Sequence, residues 1–249
     1  WFQKKVKKRS FEATFLNHLG FKIFMRFELN SIHKKLIILQ RNELMSNSHR
    51  RIRKLFGRFL YTNFFVNFSD LSFIKSEYYE LCHKEYLSIR KFINFGTKNI
   101  LSIGGGVGGV ECLILNNNNC NIDMIERNFI SKKIIYGFNK EAYNKLESTK
   151  SFFKKNCIKY KNLKVYDFDK DDKPIKKFNL VISLFSLDYH YDFHIYYNYL
   201  KKVSDENTIF IFDTIRSSYF SEIFENVEIL EKNTSTIHKS HRLVCSIFK

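Results

Sequence analysis

Five glycines fall between positions 104 and 109 of the stretch "NILSIGGGVGGVE", in a chain of 249 residues that holds only 9 in all. An apolar run that breaks into bare backbone and resumes as a helix turns N–H groups and a helix N-terminus toward a ligand at the strand's carboxyl end. Gly104, Gly105, Gly106 and Gly108 are the expected cradle, with tight turns at Gly104 and Gly106 and a close approach at Gly108. About twenty residues further on, "NIDMIERN" carries Glu126, spaced to accept both hydroxyls of a ribose. A third run, "NLKVYDF", ends at Asp167, where a carboxylate can receive the exocyclic amine of adenine; Asp169, Asp171 and Asp172 compete for that role. Taken alone, such a loop serves a nicotinamide, a flavin, S-adenosylmethionine or only tight packing.

A second reactive set follows the apolar run "FNLVISLFS". His190 stands a few residues beyond it and titrates near neutrality, which suits a general base. Asp188 is either the base itself or the group that orients the imidazole, and Asp213, at the end of "NTIFIFDT", can do the same from the other side. His190 and His194, and His238 and His241, have helix-face spacing, but no third ligand stands at zinc spacing and no metal site is expected. Asp188, Asp192 and Asp213 are the oxygen donors a divalent ion would find. No Gly-x-Ser-x-Gly elbow occurs.

The elements that hold these groups read from apolar runs alternating with helical stretches after Gly96. "NILSI", "CNIDMIE", "NLKVYDF", "FNLVISLFS", "NTIFIFDT", "NVEILEKN" and "RLVCSIFK" read as strands; "GVECLILN" opens a helix, and residues 129–156 and 192–203 read as helical. Strands that are apolar on both faces and separated by helices predict a parallel sheet covered on both sides. The last two are joined without a helix, as a hairpin is. The expected fold is therefore α/β, a Rossmann-like, seven-stranded, doubly wound sheet of the class I methyltransferase kind. That plan favours S-adenosyl-L-methionine over a nicotinamide, since no second domain follows to hold a hydride acceptor.

Upstream, residues 1–75 are expected to form a basic, mainly helical extension and residues 76–249 the Rossmann-like domain. Ile32, Leu36, Ile37 and Leu39 suggest one amphipathic helix, residues 61–74 are aromatic and alternate poorly, and a helix is expected from Ser76 as N-cap. The "NNNN" tract at 116–119 reads as a turn.

Hydrophobic residues make up 44% of the chain, a globular composition, and the formal charge is +17. The charge is unevenly spread: residues 1–60 hold 15 Lys or Arg against 3 Glu. Such a segment attracts phosphates of nucleic acid or of a membrane surface, and peripheral membrane contact through residues 1–60 is one expectation. An accessory helical layer or lid is expected ahead of an RNA reader. The 5 cysteines are scattered without metal or redox spacing, as in a reducing compartment, so a cytoplasmic location is expected. No apolar run is long enough to span a bilayer, and the basic start is not followed by a secretory signal's apolar region.

Several stretches together resemble a known family. "ILSIGGGVGGVE", "IYGFNKEAYNKLESTKSFFKKNCI", "FNLVISLFSLDYHYDFHIYYNYL" and "IFIFDTIR" are similar to bacterial class I sugar O-methyltransferases, over roughly residues 76–249. "SLFSLDYHY" matches the family's Ser-Trp-Gly-Phe-His-Tyr stretch at Ser186, His190 and Tyr191, with Leu187 and Asp188 in place of its Trp and Gly. "DTIR" is similar to its Asp-Ile-Arg and brings Asp213 and Arg216 to the rim. The resemblance implies S-adenosylmethionine as cofactor, with Leu184 and Phe185 completing its contacts, and a sugar or glycan-precursor substrate. One departure stands out: the family's acidic residue two positions before the first glycine is Ser102 here. Spermidine synthases share the glycine loop, but their Asp is Val107 here. An RNA methyltransferase and a catalytically degenerate binding protein are the alternatives.

Overall fold

The structure is a computed structural model that describes residues 27–93, 96–131, 142–188, 191–234 and 240–249. Seven strands form one sheet in the order β3-β2-β1-β4-β5-β7-β6. They are β1 (Asn99–Ile103), β2 (Asn121–Glu126), β3 (Leu163–Asp167), β4 (Leu180–Ser183), β5 (Ile209–Thr214), β6 (Phe224–Lys232) and β7 (His241–Phe248). The first five pair in parallel, while β7 runs antiparallel to both β5 and β6. This is the doubly wound, Rossmann-like sheet expected from the sequence. Its strand order reverses at β1, with β2 and β3 on one side and β4 and β5 on the other, which opens a crevice at the carboxyl ends.

The helices are α1 (Ser31–Gln40), α2 (Asn47–Phe56), α3 (Arg58–Phe68), α4 (Leu71–Ile89), α5 (Gly109–Asn117), α6 (Leu146–Asn156), α7 (His194–Val203) and α8 (Ser217–Ile223). Side chains alternate across a strand, so each face of the sheet builds its own core. Ile100, Ile122, Met124 and Ile182 pack with α1, α4, α5 and α6, while Leu101, Ile103, Val181, Phe210 and Phe212 pack with α7 and α8.

Three expectations change. The helix expected from Ser76 starts at Leu71, because Asp70 accepts the Ser72 N–H at 2.9 Å and caps it; such a cap contributes about 1 kcal/mol. A boundary at 75/76 thus falls inside α4, and residues 27–45 share the core of one sheet face through Phe27, Leu29, Leu36 and Ile37. Of the helix expected over 129–156, the described residues form α6, while residues 132–141 lie outside them and Ile130 bridges Tyr143 in antiparallel fashion. Residues 184–186 leave β4, with Phe185 at φ 58°.

Candidate active site

The glycine loop sits where β1 passes into α5. Gly104, at φ 71°, donates its N–H to Ile125 O at 2.9 Å, and a Cβ there would overlap the Ser186 side chain. Gly106, at φ 65°, leaves room for the amide of Gln40, which reaches in from α1 and accepts the Val107 N–H at 3.2 Å. Asn144 and Thr149 donate to Gly106 O at 2.8 and 3.0 Å. The loop is therefore held from three directions. None of these partners carried a sequence signal, since each comes from a distant segment.

Glu126 ends β2, as expected, and is buried against the loop. Its Oε2 accepts the Gly106 N–H at 2.7 Å and its Oε1 the Arg127 N–H at 2.8 Å. Burial pushes this carboxyl up to about 7, against the pull of those two N–H donors. Each oxygen keeps one further lone-pair site, enough for two hydroxyl donors. Beside it lies a cleft lined by Gly104, Ile125, Phe168, Ser186, Tyr191 and Tyr196. Arg127 lies over the rings of Phe168 and Tyr191, at 5.0 and 5.4 Å, and donates to Asp169 at 2.9 Å. Asp167 accepts the Asp169 N–H at 3.1 Å within its own turn, and it is Phe168 that lines the cleft.

Ser102 donates its hydroxyl to Glu111 Oε1 at 2.6 Å, both residues being buried. Glu111 lies in the first turn of α5 directly behind Gly105, and its Oε2 has no hydrogen-bond partner among the described residues. Burial pushes the Glu111 carboxyl up, with the Ser102 hydrogen bond opposing it.

The loop after β4 separates that cleft from another. Ser186 faces the glycines, whereas the Phe185 ring has the guanidiniums of Arg41 and Arg242 at 5.7 and 5.8 Å from its centre. The second cleft is lined by Glu43, Leu81, Lys84, Phe185, Glu231 and Arg242. Arg242 in its lining binds Asp213 through bonds of 3.1 and 2.8 Å, Lys84 stands 3.7 Å from Glu231, and Arg41 beside Phe185 binds the lining residue Glu85 through two bonds of 2.8 Å. Leu184 packs against the core under the sheet and not into either cleft.

The expected catalytic groups are distributed differently from one another. His190 lies outside the described residues. Asp188 is wholly buried at φ 64° and takes bonds from Thr214 and Arg216, so that it ties the loop after β4 to the end of β5. Asp213 faces its β7 register partner Arg242. Burial pushes its carboxyl up, against the Arg242 guanidinium pulling down. Each of these two carboxylates thus ties two elements together through a buried ion pair.

Comparison with solved structures finds likeness of shape at low identity. A precorrin-6y C5,15-methyltransferase from Geobacter metallireducens is 14% identical, with TM-score 0.43, over 64% of this chain and 86% of that one. An O-methyltransferase from Nostoc punctiforme is 12% identical, TM-score 0.47, over 67% and 56%. A SAM-dependent methyltransferase from Thiobacillus denitrificans, solved with S-adenosyl-L-homocysteine, is 12% identical, TM-score 0.37, over 54% and 47%. The chain thus spans about half the length of the latter two. No family model matches the chain, and no curated protein sequence is significantly similar to it.

Proposed function

We propose that the chain is an S-adenosylmethionine-dependent methyltransferase that methylates a hydroxyl of a sugar or glycan precursor. The observation that carries this reading is the pair of clefts on either side of residues 184–186: a carboxylate and glycine cradle on one side, a polar cleft on the other. A group transfer between two bound molecules needs that arrangement, because most of its rate comes from holding the reacting atoms in line.

The residues fit the cofactor. Glu126 has the free lone pairs for a ribose, and Ile125, Phe168 and Tyr191 offer apolar and aromatic walls to an adenine; Glu111, buried behind Gly105 with one oxygen unpartnered among the described residues, is the proposed carboxyl for an ammonium that reaches past the loop. Glu111 thereby answers the departure at Ser102 and weighs against a degenerate copy. The bound cofactor would supply an electrophilic methyl group on a sulfonium. The protein's own part is to orient the acceptor, exclude water and take the acceptor's proton.

For the acceptor, Glu43, Lys84, Glu231 and Thr234 surround the ring of Phe185 and the side chain of Leu81. Many polar groups around one aromatic face suit a polyhydroxylated molecule. His190 is the proposed base, from its place in the chain two residues past Asp188, which anchors that loop. The experiment is to incubate the protein with S-adenosylmethionine and separate panels of nucleotide sugars, glycans and RNA. Formation of S-adenosylhomocysteine with a sugar panel supports the reading. Turnover with RNA alone would replace it by the RNA alternative.

A further inference from the structure

The helical layer carries a surface that neither cleft uses. Helices α2 and α3 fold back on each other about Gly57, so that the His49 ring lies 4.9 Å from that of Phe65. Their inner faces are engaged. Arg53 is buried and donates to the last carbonyls of α1, Ile38 O at 3.2 Å and Leu39 O at 2.9 Å. Tyr61 and Thr62 are buried, and Lys34 holds the carbonyls of Val66 and Ser69.

The outer faces are apolar. Leu60, Phe64 and Phe68 form a stripe at i, i+4, i+8 along α3, exposed by 66, 66 and 74%. Ile52, Leu55 and Phe56 form the matching stripe of α2, exposed by 41, 78 and 62%. A surface helix normally turns such residues inward, and six large apolar side chains on two adjoining helices are not the scattered singles of an ordinary surface.

Charge identifies what they face. Residues 47–69 contain Arg50, Arg51, Arg53, Lys54 and Arg58 and no Asp or Glu. Arg51 and Lys54 are exposed beside the α2 stripe. Basic residues next to exposed Leu and Phe on an amphipathic helix are the composition of an interfacial anchor.

We propose that the α2–α3 hairpin docks on the surface of an anionic lipid bilayer, its Leu and Phe side chains entering the acyl boundary while Arg51 and Lys54 meet headgroup phosphates. RNA shares the phosphate chemistry and could stack on Phe56, Phe64 and Phe68, but Ile52, Leu55 and Leu60, half of the face, offer no ring to a base and suit an acyl boundary. A second copy of the chain would bring two like-charged faces together, which repel. The proposal is independent of the methyl-transfer reading.

The test is flotation of the full chain with phosphatidylcholine vesicles, with and without phosphatidylglycerol. The protein should float with the anionic vesicles about ten-fold better than with neutral ones, and high salt should weaken that preference. Leu60→Ser/Phe64→Ser/Phe68→Ser should lose flotation with an unchanged circular dichroism melt, and Arg51→Glu/Lys54→Glu should lose only the preference for anionic vesicles. Failure of the wild type to float would overturn the proposal. So would undiminished flotation of the triple variant, which would assign the contact to another segment such as residues 1–26. A dimer that the triple variant dissociates, or RNA binding that it abolishes while flotation persists, would assign the face to those partners instead.

Discussion

Ser102 Oγ donates to Glu111 Oε1 at 2.6 Å, so the strand position that lacks an acid is coupled to an acid on the next helix. Glu111 is buried with one oxygen unpartnered, a state that a bound ammonium would relieve. Glu111→Gln keeps an acceptor for Ser102 and removes the charge. We expect it to weaken S-adenosylmethionine about ten-fold, the size of one charge-assisted hydrogen bond. Methylthioadenosine, which lacks the ammonium, should bind the variant as it binds the wild type. Calorimetry with both ligands checks this, and equal losses would make Glu111 a packing residue.

Glu126 sets a pH dependence of stability. Its carboxyl lies at about 7 in the folded protein against an ordinary 4.5, so the folded state binds the proton more tightly. Its contribution is therefore fully present below 4.5 and is lost as pH rises through 7, amounting to ~3 kcal/mol at most. Thermal melts of the ligand-free protein should fall across that window. Glu126→Gln should flatten the profile, and a variant profile parallel to the wild type would remove Glu126 as its cause.

Asp213 and Arg242 face each other across β5 and β7, nearly inaccessible to solvent. Removing one partner of such a pair costs about 3–5 kcal/mol, so Asp213→Asn should lower the melting temperature by roughly 10 °C. The double variant Asp213→Leu/Arg242→Met should recover most of the loss. An Asp213→Asn protein that melts normally yet fails to turn over would return Asp213 to the role of base.

Local patterns in the sequence carried the sheet, the glycine loop and Glu126, because each is written in consecutive residues. Helix α3 was hidden by its own surface: with Phe64 and Phe68 outside and Tyr61 inside, it is apolar all round and shows no clean period. The groups that complete the site were hidden for a different reason. Gln40, Arg41, Glu43 and Glu85 reach it from helices that precede the sheet, where single charged residues resemble a solvated face. Arg242 was legible in principle, since pairing β5 antiparallel with β7 puts it opposite Asp213.

His190 follows the strut Asp188, and the two should separate kinetically. A positioned base contributes about 10²- to 10⁴-fold, so His190→Gln should lower kcat by that order, with cofactor affinity unchanged. The wild-type rate should rise with pH through the ordinary histidine range, and the variant should lose that limb. Asp188→Asn should loosen the contact with Thr214 and Arg216, lowering both thermal stability and kcat while keeping the pH limb. A His190→Gln rate within a few-fold of wild type would exclude His190.

In the proposed function, the cleft beside the glycine loop is a nucleoside cofactor site anchored by Glu126. Its most direct test is calorimetric titration of S-adenosylhomocysteine into the full chain and into Glu126→Ala, since this needs no acceptor. Saturable binding at one site per chain is expected, with a loss of about two orders of magnitude in the variant as two hydroxyl hydrogen bonds to a carboxylate disappear. Absence of binding to the wild type, or equal affinity for wild type and Glu126→Ala, would contradict it.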